Sequence, residues 1–386
     1  MGTHMAQNLH SIANRRVILG LSGGVDSAVA AVLLQQAGAN VHALHMSNWE
    51  DDDSYCTAAE DLQDARRVCE QLDIPLHHAN FSQQYRDQVF GYFLAEYRAG
   101  RTPNPDVLCN REIKFGVFRD HAKRLGGEFL ATGHYARIDQ IDNETVLLKA
   151  ADPSKDQSYF LHAVSRDALA ETLFPLGELQ KSEVRELARK HGLTVHDKKD
   201  STGICFIGER PFREFLSTYL PANPGPIRTP DGNEVGSHHG LAFYTLGQRQ
   251  GLGIGGRSDA AASPWYVVDK QFDDNALIVA QGEDPLLFAA SLRATAASWI
   301  GKPPAGLASG YRCSAKIRYR QADQACTVTD IDDGAVEVRF DDPQRAVAPG
   351  QFVVFYSGDR CLGGATIDRV LTRPISREGV RPAVNS

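Results

Sequence analysis

The 386-residue chain contains no Cys-x-x-Cys pair, although it has seven cysteines, Cys56, Cys69, Cys109, Cys205, Cys313, Cys326 and Cys361. The odd count and scattered spacing argue against a zinc ribbon, a ferredoxin-type cluster and a secreted disulfide framework. No residues are assigned as ligands of a resident metal, and any cysteine chemistry is expected to use individual thiols. No apolar run approaches the length of a membrane span, so no membrane partner is expected. A charged-then-apolar secretion signal is also missing. The opening Met1-Gly2-Thr3-His4-Met5 looks like an expression-vector scar and is set aside. The expectation is a cytoplasmic protein with reduced thiols. Repeats and low-complexity stretches are absent. Positive charge is not in excess either, since the net charge is −7. Its distribution is uneven: from Pro285 onward 13 basic residues face 10 acidic ones, a net of +3, while the rest carries −10. The last hundred residues are therefore the better place for phosphate contacts.

What is present suits a soluble globular chain: 42% apolar and 23% charged residues, over a length sufficient for two or three cores. The first half alternates strand and helix patterns. Arg15–Leu21, Val41–Met46, Leu76–Phe81 and Glu128–His134 read as strands. Asp26–Gly38, Cys56–Leu72, Tyr85–Tyr97 and Glu112–Leu125 read as helices, with a proline-broken loop over Arg101–Cys109. Such alternation predicts an α/β domain whose parallel sheet is covered on both faces, with ligands at the carboxyl ends of the strands. After about residue 205 a short helix over Pro211–Leu220 precedes breaker-rich sequence, and short alternating strands follow from Trp265. The expected division is a tag and disordered start at 1–14, a catalytic domain at 15–204, a small central domain at 205–284, a C-terminal β-barrel at 285–370 and a tail at 371–386.

Ser22-Gly23-Gly24-Val25-Asp26-Ser27 lies between the first strand and the first helix. Glycines let backbone amides approach an anion, and a helix amino terminus adds unpaired N–H groups and a positive dipole end. An aspartate inside an anion loop makes sense if it orients Mg²⁺ bound to pyrophosphate. The bland alternative is a tight turn with an N-cap. The loop is similar to the signature of the PP-loop ATP pyrophosphatases, a family with an adenine nucleotide alpha hydrolase-like fold that cleaves ATP to AMP and pyrophosphate. The resemblance implies ATP and Mg²⁺ as cofactors. It places Gly20, Leu21, Ser22, Gly23, Gly24, Val25, Asp26 and Ser27 at the phosphates, Met46 by the adenine, and Gly133 of Thr132-Gly133-His134 in the same site.

Two further segments each hold a cysteine: Gly100 to Phe115 (GRTPNPDVLCNREIKF) and Asp200 to Gly208 (DSTGICFIG). Cys109 is read as standing just before a helix, where the dipole, Arg111 and Lys114 would favour thiolate. Cys205 follows a glycine in a small-residue stretch. Both segments resemble the catalytic segments of the bacterial tRNA-specific 2-thiouridylases, and the resemblance runs from Gly20 to about Asp368. It includes Lys155 to Phe160, Thr245 to Arg249, Lys316 to Tyr319 and Pro349 to Gln351.

The resemblance implies ATP-dependent 2-thiolation of the wobble uridine, position 34, of tRNA of the Lys, Glu and Gln type. ATP adenylates the uridine O2. Cys205 carries a persulfide supplied by a sulfur-relay partner protein, and either its terminal sulfur attacks C2 or Cys109 first reduces it to hydrosulfide. Both routes leave a Cys109–Cys205 disulfide. Asp106 is implied as general acid or base. Asn104, Pro105, Asp106, His134, Lys155, Asp156, Gln157, Arg318, Tyr319 and Gln351 match the family's RNA contacts. The stretch Lys316 to Arg320 also alternates as one strand, so its basic side chains are expected to share a face. The competing readings are another tRNA thiolase or an amide-forming synthetase built on the same loop; the latter needs an ammonia source that no segment supplies.

Overall fold

A computed structural model describes residues 12–49, 58–200, 212–254, 263–332 and 334–373. Five parallel strands form the first sheet, in the order Leu76–Asn80, Asn40–Ser47, Arg16–Gly20, Phe129–Thr132, Thr172–Leu173. Val17, Ile18 and Leu19 in its middle strand are fully buried, as a strand covered on both faces requires. Ile18 and Leu44 belong to the core on one face, and Val17, Leu19 and the Ala/Val-rich helix Val25–Gln36 to the core on the other. Chain order reverses between Arg16–Gly20 and Phe129–Thr132, which opens a crevice at their carboxyl ends.

A second sheet of four strands runs in the order Trp265–Gln271, Ala276–Gln281, Gly225–Arg228, Glu234–His238. The third is antiparallel: Phe288–Trp299, Ala335–Arg345, Gln324–Asp332, Tyr311–Lys316, Phe352–Ser357 and Arg360–Thr372 pair in turn. Pairing of Phe288–Trp299 with Arg360–Thr372 closes these six strands into a barrel filled by Leu292, Val328, Val338, Val353, Phe355 and Ile367.

Three details depart from the sequence reading. The hairpin Arg137–Ile141/Glu144–Leu148 lies within the catalytic stretch of sequence yet adds to the barrel sheet, with Leu148 opposite Arg360 and Leu147 opposite Cys361. Helical structure begins at Pro105, inside the expected loop. Proline's fixed φ is pre-set for the first helical position, and the Asn104 side chain caps the turn by accepting from the Asp106 N–H at 3.2 Å. Finally, the strand through Lys316 stops there, and Ile317–Arg320 turn away. The basic side chains of that stretch therefore do not share one strand face.

Candidate active site

The phosphate loop leaves the sheet at Gly20 and enters the helix Val25–Gln36 through Gly24, whose extended backbone serves as N-cap without any side-chain cap. First-turn amides are therefore left without a side-chain acceptor at the crevice, which suits them to bind an anion there. Ser27 Oγ donates to the Gly24 carbonyl (3.1 Å) and lies 3.2 Å from Ser22 Oγ, which knits the loop to the helix. Leu21 N–H donates to the Leu44 carbonyl (3.1 Å), and the buried His45 ring donates to the Leu21 carbonyl (2.8 Å). Met46, expected by the adenine, is the last residue but one of the neighbouring strand Asn40–Ser47.

Close packing explains two glycines. Gly23 has φ +79°, and a Cβ there would stand 2.2 Å from the Asp61 carbonyl oxygen. A Cβ on Gly133 would stand 2.9 Å from the Ser27 nitrogen, so the turn after Phe129–Thr132 presses directly on the helix start. Gly23→Ala is expected to destabilise the protein by at least about 1–3 kcal/mol from the backbone conformation alone. Denaturant melts of the two proteins check this, and an unchanged midpoint would contradict the packing.

Asp26 does not stand free. Its two carboxylate oxygens accept from Lys181 Nζ at 2.7 and 2.9 Å, and the Tyr135 hydroxyl donates to one of them at 2.8 Å. Burial, then the charge of Asp26, raises the Tyr135 phenol, which stays protonated as the donor. Lys181 also reaches Asp200 at 2.8 Å, and Asp200 takes Lys155 and Arg185 at 2.7 Å each. Burial works against the Asp200 charge, but hydrogen bonds from Lys155 and Lys181 overcome it and hold the carboxyl at about 2. A folded-state value below the unfolded one means these ties contribute stability above about pH 4 and lose it as pH falls toward 2. On the far side of the loop, Lys198 Nζ donates to the Gly23 carbonyl (3.2 Å), to Asp61 (2.8 Å) and to Asp64 (2.6 Å). Lys181, Lys198 and Tyr135 carry no motif and the sequence reading missed them, while Asp200, which opens the Cys205 segment, was given no role of its own.

Cys109 is 1% exposed and opens a π-helical stretch, Cys109–Val117, that continues the turn Pro105–Leu108. It stands within the helical run one turn from its start, rather than just ahead of a helix. Such wide turns displace side chains from the regular helical rows. Next to it the buried Asn110 donates from Nδ2 to the Phe160 carbonyl (3.1 Å), while its Oδ1 has no partner. Cys205 lies outside the described residues, so its distance from Cys109 is not described.

The residues expected to contact RNA come from distant parts of the chain. Tyr319 packs on Phe160, with ring centres 4.4 Å apart, and its hydroxyl is 3.4 Å from the Lys155 carbonyl. Arg318 donates to the Ala346 carbonyl (2.8 Å). Gln157 and Tyr135 exchange hydrogen bonds of 2.8 and 2.9 Å. Asp156 is 5% exposed and is occupied by Ala150 N–H, by Ser158, and by Lys316 at 3.8 Å. His134 is 9% exposed, bonded to Thr132, and burial holds its ring neutral.

Gln351 donates to the Thr102 and Pro103 carbonyls at 2.8 and 3.3 Å, directly before Asn104. Thr102 is held further by the Pro349 carbonyl (2.8 Å) and by the Thr245 hydroxyl (3.2 Å). The motifs around Thr245 and Pro349 thus clamp the chain that leads to Asp106 and Cys109.

Successive contacts run from Asn110, the neighbour of Cys109, through Phe160, Tyr319, Lys155, Asp200 and Lys181 to Asp26. Residues 15–209 match the family described as tRNA methyl transferase HUP domain, 213–281 its PRC-barrel domain, and 289–367 the aminomethyltransferase beta-barrel domain. A tRNA-specific 2-thiouridylase MnmA of Hahella chejuensis is 59% identical over 92% of this chain and 98% of its own length. That of Pseudomonas fluorescens SBW25 is 59% identical over 92% and 95%, and that of Pseudomonas paraeruginosa 56% over 94% and 97%. The chain belongs to the tRNA-specific 2-thiouridylase family. Membership agrees with the α/β and β-barrel architecture and makes the enzyme a tRNA-uridine 2-sulfurtransferase. Among the described residues no helix is long and apolar enough to cross a membrane.

Proposed function

We propose that this chain uses ATP to adenylate the O2 of a uridine in tRNA, position 34, and then replaces that oxygen with sulfur drawn from a cysteine persulfide. The observation that carries the reading is the connected set of side chains that runs from Asp26 in the uncapped phosphate loop through Lys155 and Tyr319 to Asn110, the neighbour of Cys109. Methyl transfer would use neither the phosphate loop nor the cysteine segments.

The loop amides and the serine hydroxyls take the phosphates. Lys181, tied to Asp26 in the structure, is a second cation for them, and Lys198 holds the Gly23 peptide in place. Asp26 and the Ser22 and Ser27 hydroxyls are hard oxygen donors of the kind Mg²⁺ takes, and they would hold it beside the phosphates. When bound, Mg²⁺ offsets the charge of the departing pyrophosphate. Tyr135 and Lys181 orient the carboxylate for that role. The uridine leaves its stack to reach the site, as base chemistry requires, and Asn104, Pro105 and Asp106 receive it. Asp106 moves the proton near Cys109. Cys205 bears the transferable sulfur from a persulfide donor protein, and Cys109 closes the disulfide that releases it. Lys155, Gln157, Arg318, Tyr319 and Gln351 contact the RNA beside the clamp at Thr102, together with the small exposed edges of His134 and Asp156.

Nucleoside mass spectrometry of tRNA incubated with enzyme, Mg-ATP and a persulfide donor tests the reading. Stoichiometric AMP, pyrophosphate and 2-thiouridine are expected. Nucleotide cleavage with a methylated or amidated product would overturn it.

A further inference from the structure

Cys313 and Cys326 face each other residue for residue across the antiparallel strands Tyr311–Lys316 and Gln324–Asp332. Their sulfur atoms are 3.7 Å apart. Directly opposed residues in an antiparallel pair have Cα atoms about 4.5 or 5.5 Å apart. A disulfide spans Cα separations of about 4.4–6.8 Å. Either kind of pairing therefore admits a bridge without displacing a strand; only the sulfurs must close, to about 2.05 Å. The two thiols differ in access. Cys326 is fully buried in the barrel core, whereas Cys313 is half-buried at its edge.

We propose that Cys313 and Cys326 are a redox modification site that forms a reversible intramolecular disulfide by exchange with a low-molecular-weight disulfide of the glutathione type. The more accessible Cys313 thiolate attacks one sulfur of the small disulfide; that S–S bond breaks and one small thiol leaves. Cys326, losing its proton as it attacks, displaces the second small thiol from Cys313. Two protein thiols give up two electrons and two protons, and the small disulfide takes both to become two thiols. In the reduced pair the hydrogen bond to Cys313, together with burial, raises the Cys326 thiol, so the more accessible Cys313 is the one that opens the exchange.

The site matters for the barrel because Tyr311–Lys316 runs directly into Ile317–Tyr319, where Arg318 and Tyr319 reach the Ala346 and Lys155 carbonyls. A bridge at Cys313 pins the strand that presents that turn. The proposal rests on no step of the sulfur transfer. It concerns a second dithiol, far in sequence from Cys109 and Cys205.

The test uses the full-length protein, equilibrated with oxidised glutathione in excess over reduced, then alkylated, digested and mapped by mass spectrometry. A cross-linked peptide pair holding Cys313 and Cys326, lighter by two hydrogens and reversed by reduced glutathione, is expected. In Cys326→Ala, a stable glutathione adduct on Cys313 should replace it. Full alkylation of both cysteines in the wild type, or a persistent adduct on wild-type Cys313 without the bridge, overturns the proposal. Circular dichroism of the same samples shows that the chain is folded. Peptide mapping keeps the result separate from any disulfide made during turnover.

Discussion

Cys109→Ser is expected to abolish tRNA thiolation while ATP affinity stays within about twofold of wild type, because Cys109 lies outside the phosphate loop and its change removes no charge. The substitution exchanges sulfur for a smaller oxygen at a position 1% exposed, between Val107, Leu108 and Ile113 in the same core, so the fold should persist. A serine hydroxyl cannot open a persulfide or close a disulfide, so chemistry should stop after adenylation. Pyrophosphate release should continue to a single turnover and then stall. Cys205→Ser should give the same phenotype. The measurements are nucleoside mass spectrometry for product and calorimetry for ATP. Wild-type thiolation by either variant would end the two-cysteine mechanism, whatever the state of the phosphate loop.

Asp26→Asn is expected to reduce pyrophosphate release by about 10²–10³-fold, the usual loss when one preorganised electrostatic group is removed from a reacting centre. tRNA binding should hardly change. Asparagine keeps the shape but surrenders the charge that Lys181 and Tyr135 hold in position. Lys181→Met probes the partner. It leaves the Asp26 carboxylate facing the incoming phosphates without its 2.7 Å cation, so the loss should appear chiefly in the KM for ATP. The two residues touch, so the double variant should lose less than the product of the single losses. A fully active Asp26→Asn enzyme would remove the residue from the nucleotide site.

The phosphate loop was legible because everything it needs is contiguous. A buried strand, two glycines, an aspartate and an Ala/Val-rich helix follow one another within Arg16–Gln36, and local backbone preference is enough to place them. Four strands of the parallel sheet were legible for the same reason, as short runs between helical stretches, whereas the fifth, Thr172–Leu173, is two residues long and too short to show a pattern. Helix onset at Pro105 was misread because two prolines suggest a loop, whereas a proline at the first helical position is favoured once Asn104 supplies the cap. The turn after Lys316 was misread because strand and turn share an alternating pattern over five residues.

By itself, then, the sequence determined the fold class, the anion loop and the family, all of which rest on local pattern or on motifs that survive as short words. Only the tertiary structure decided what completes the site. Lys181 meets Asp26 across 155 residues, Lys198 meets Gly23 across 175, and Gln351 meets Thr102 across 249. It also decided that the hairpin 137–148 belongs to the barrel sheet and that Cys313 stands against Cys326. Such meetings depend on strand register and on how helices pack over a sheet. Both are set by burying apolar surface throughout the molecule, and a lysine or a cysteine at one position carries no local trace of the partner that packing brings to it.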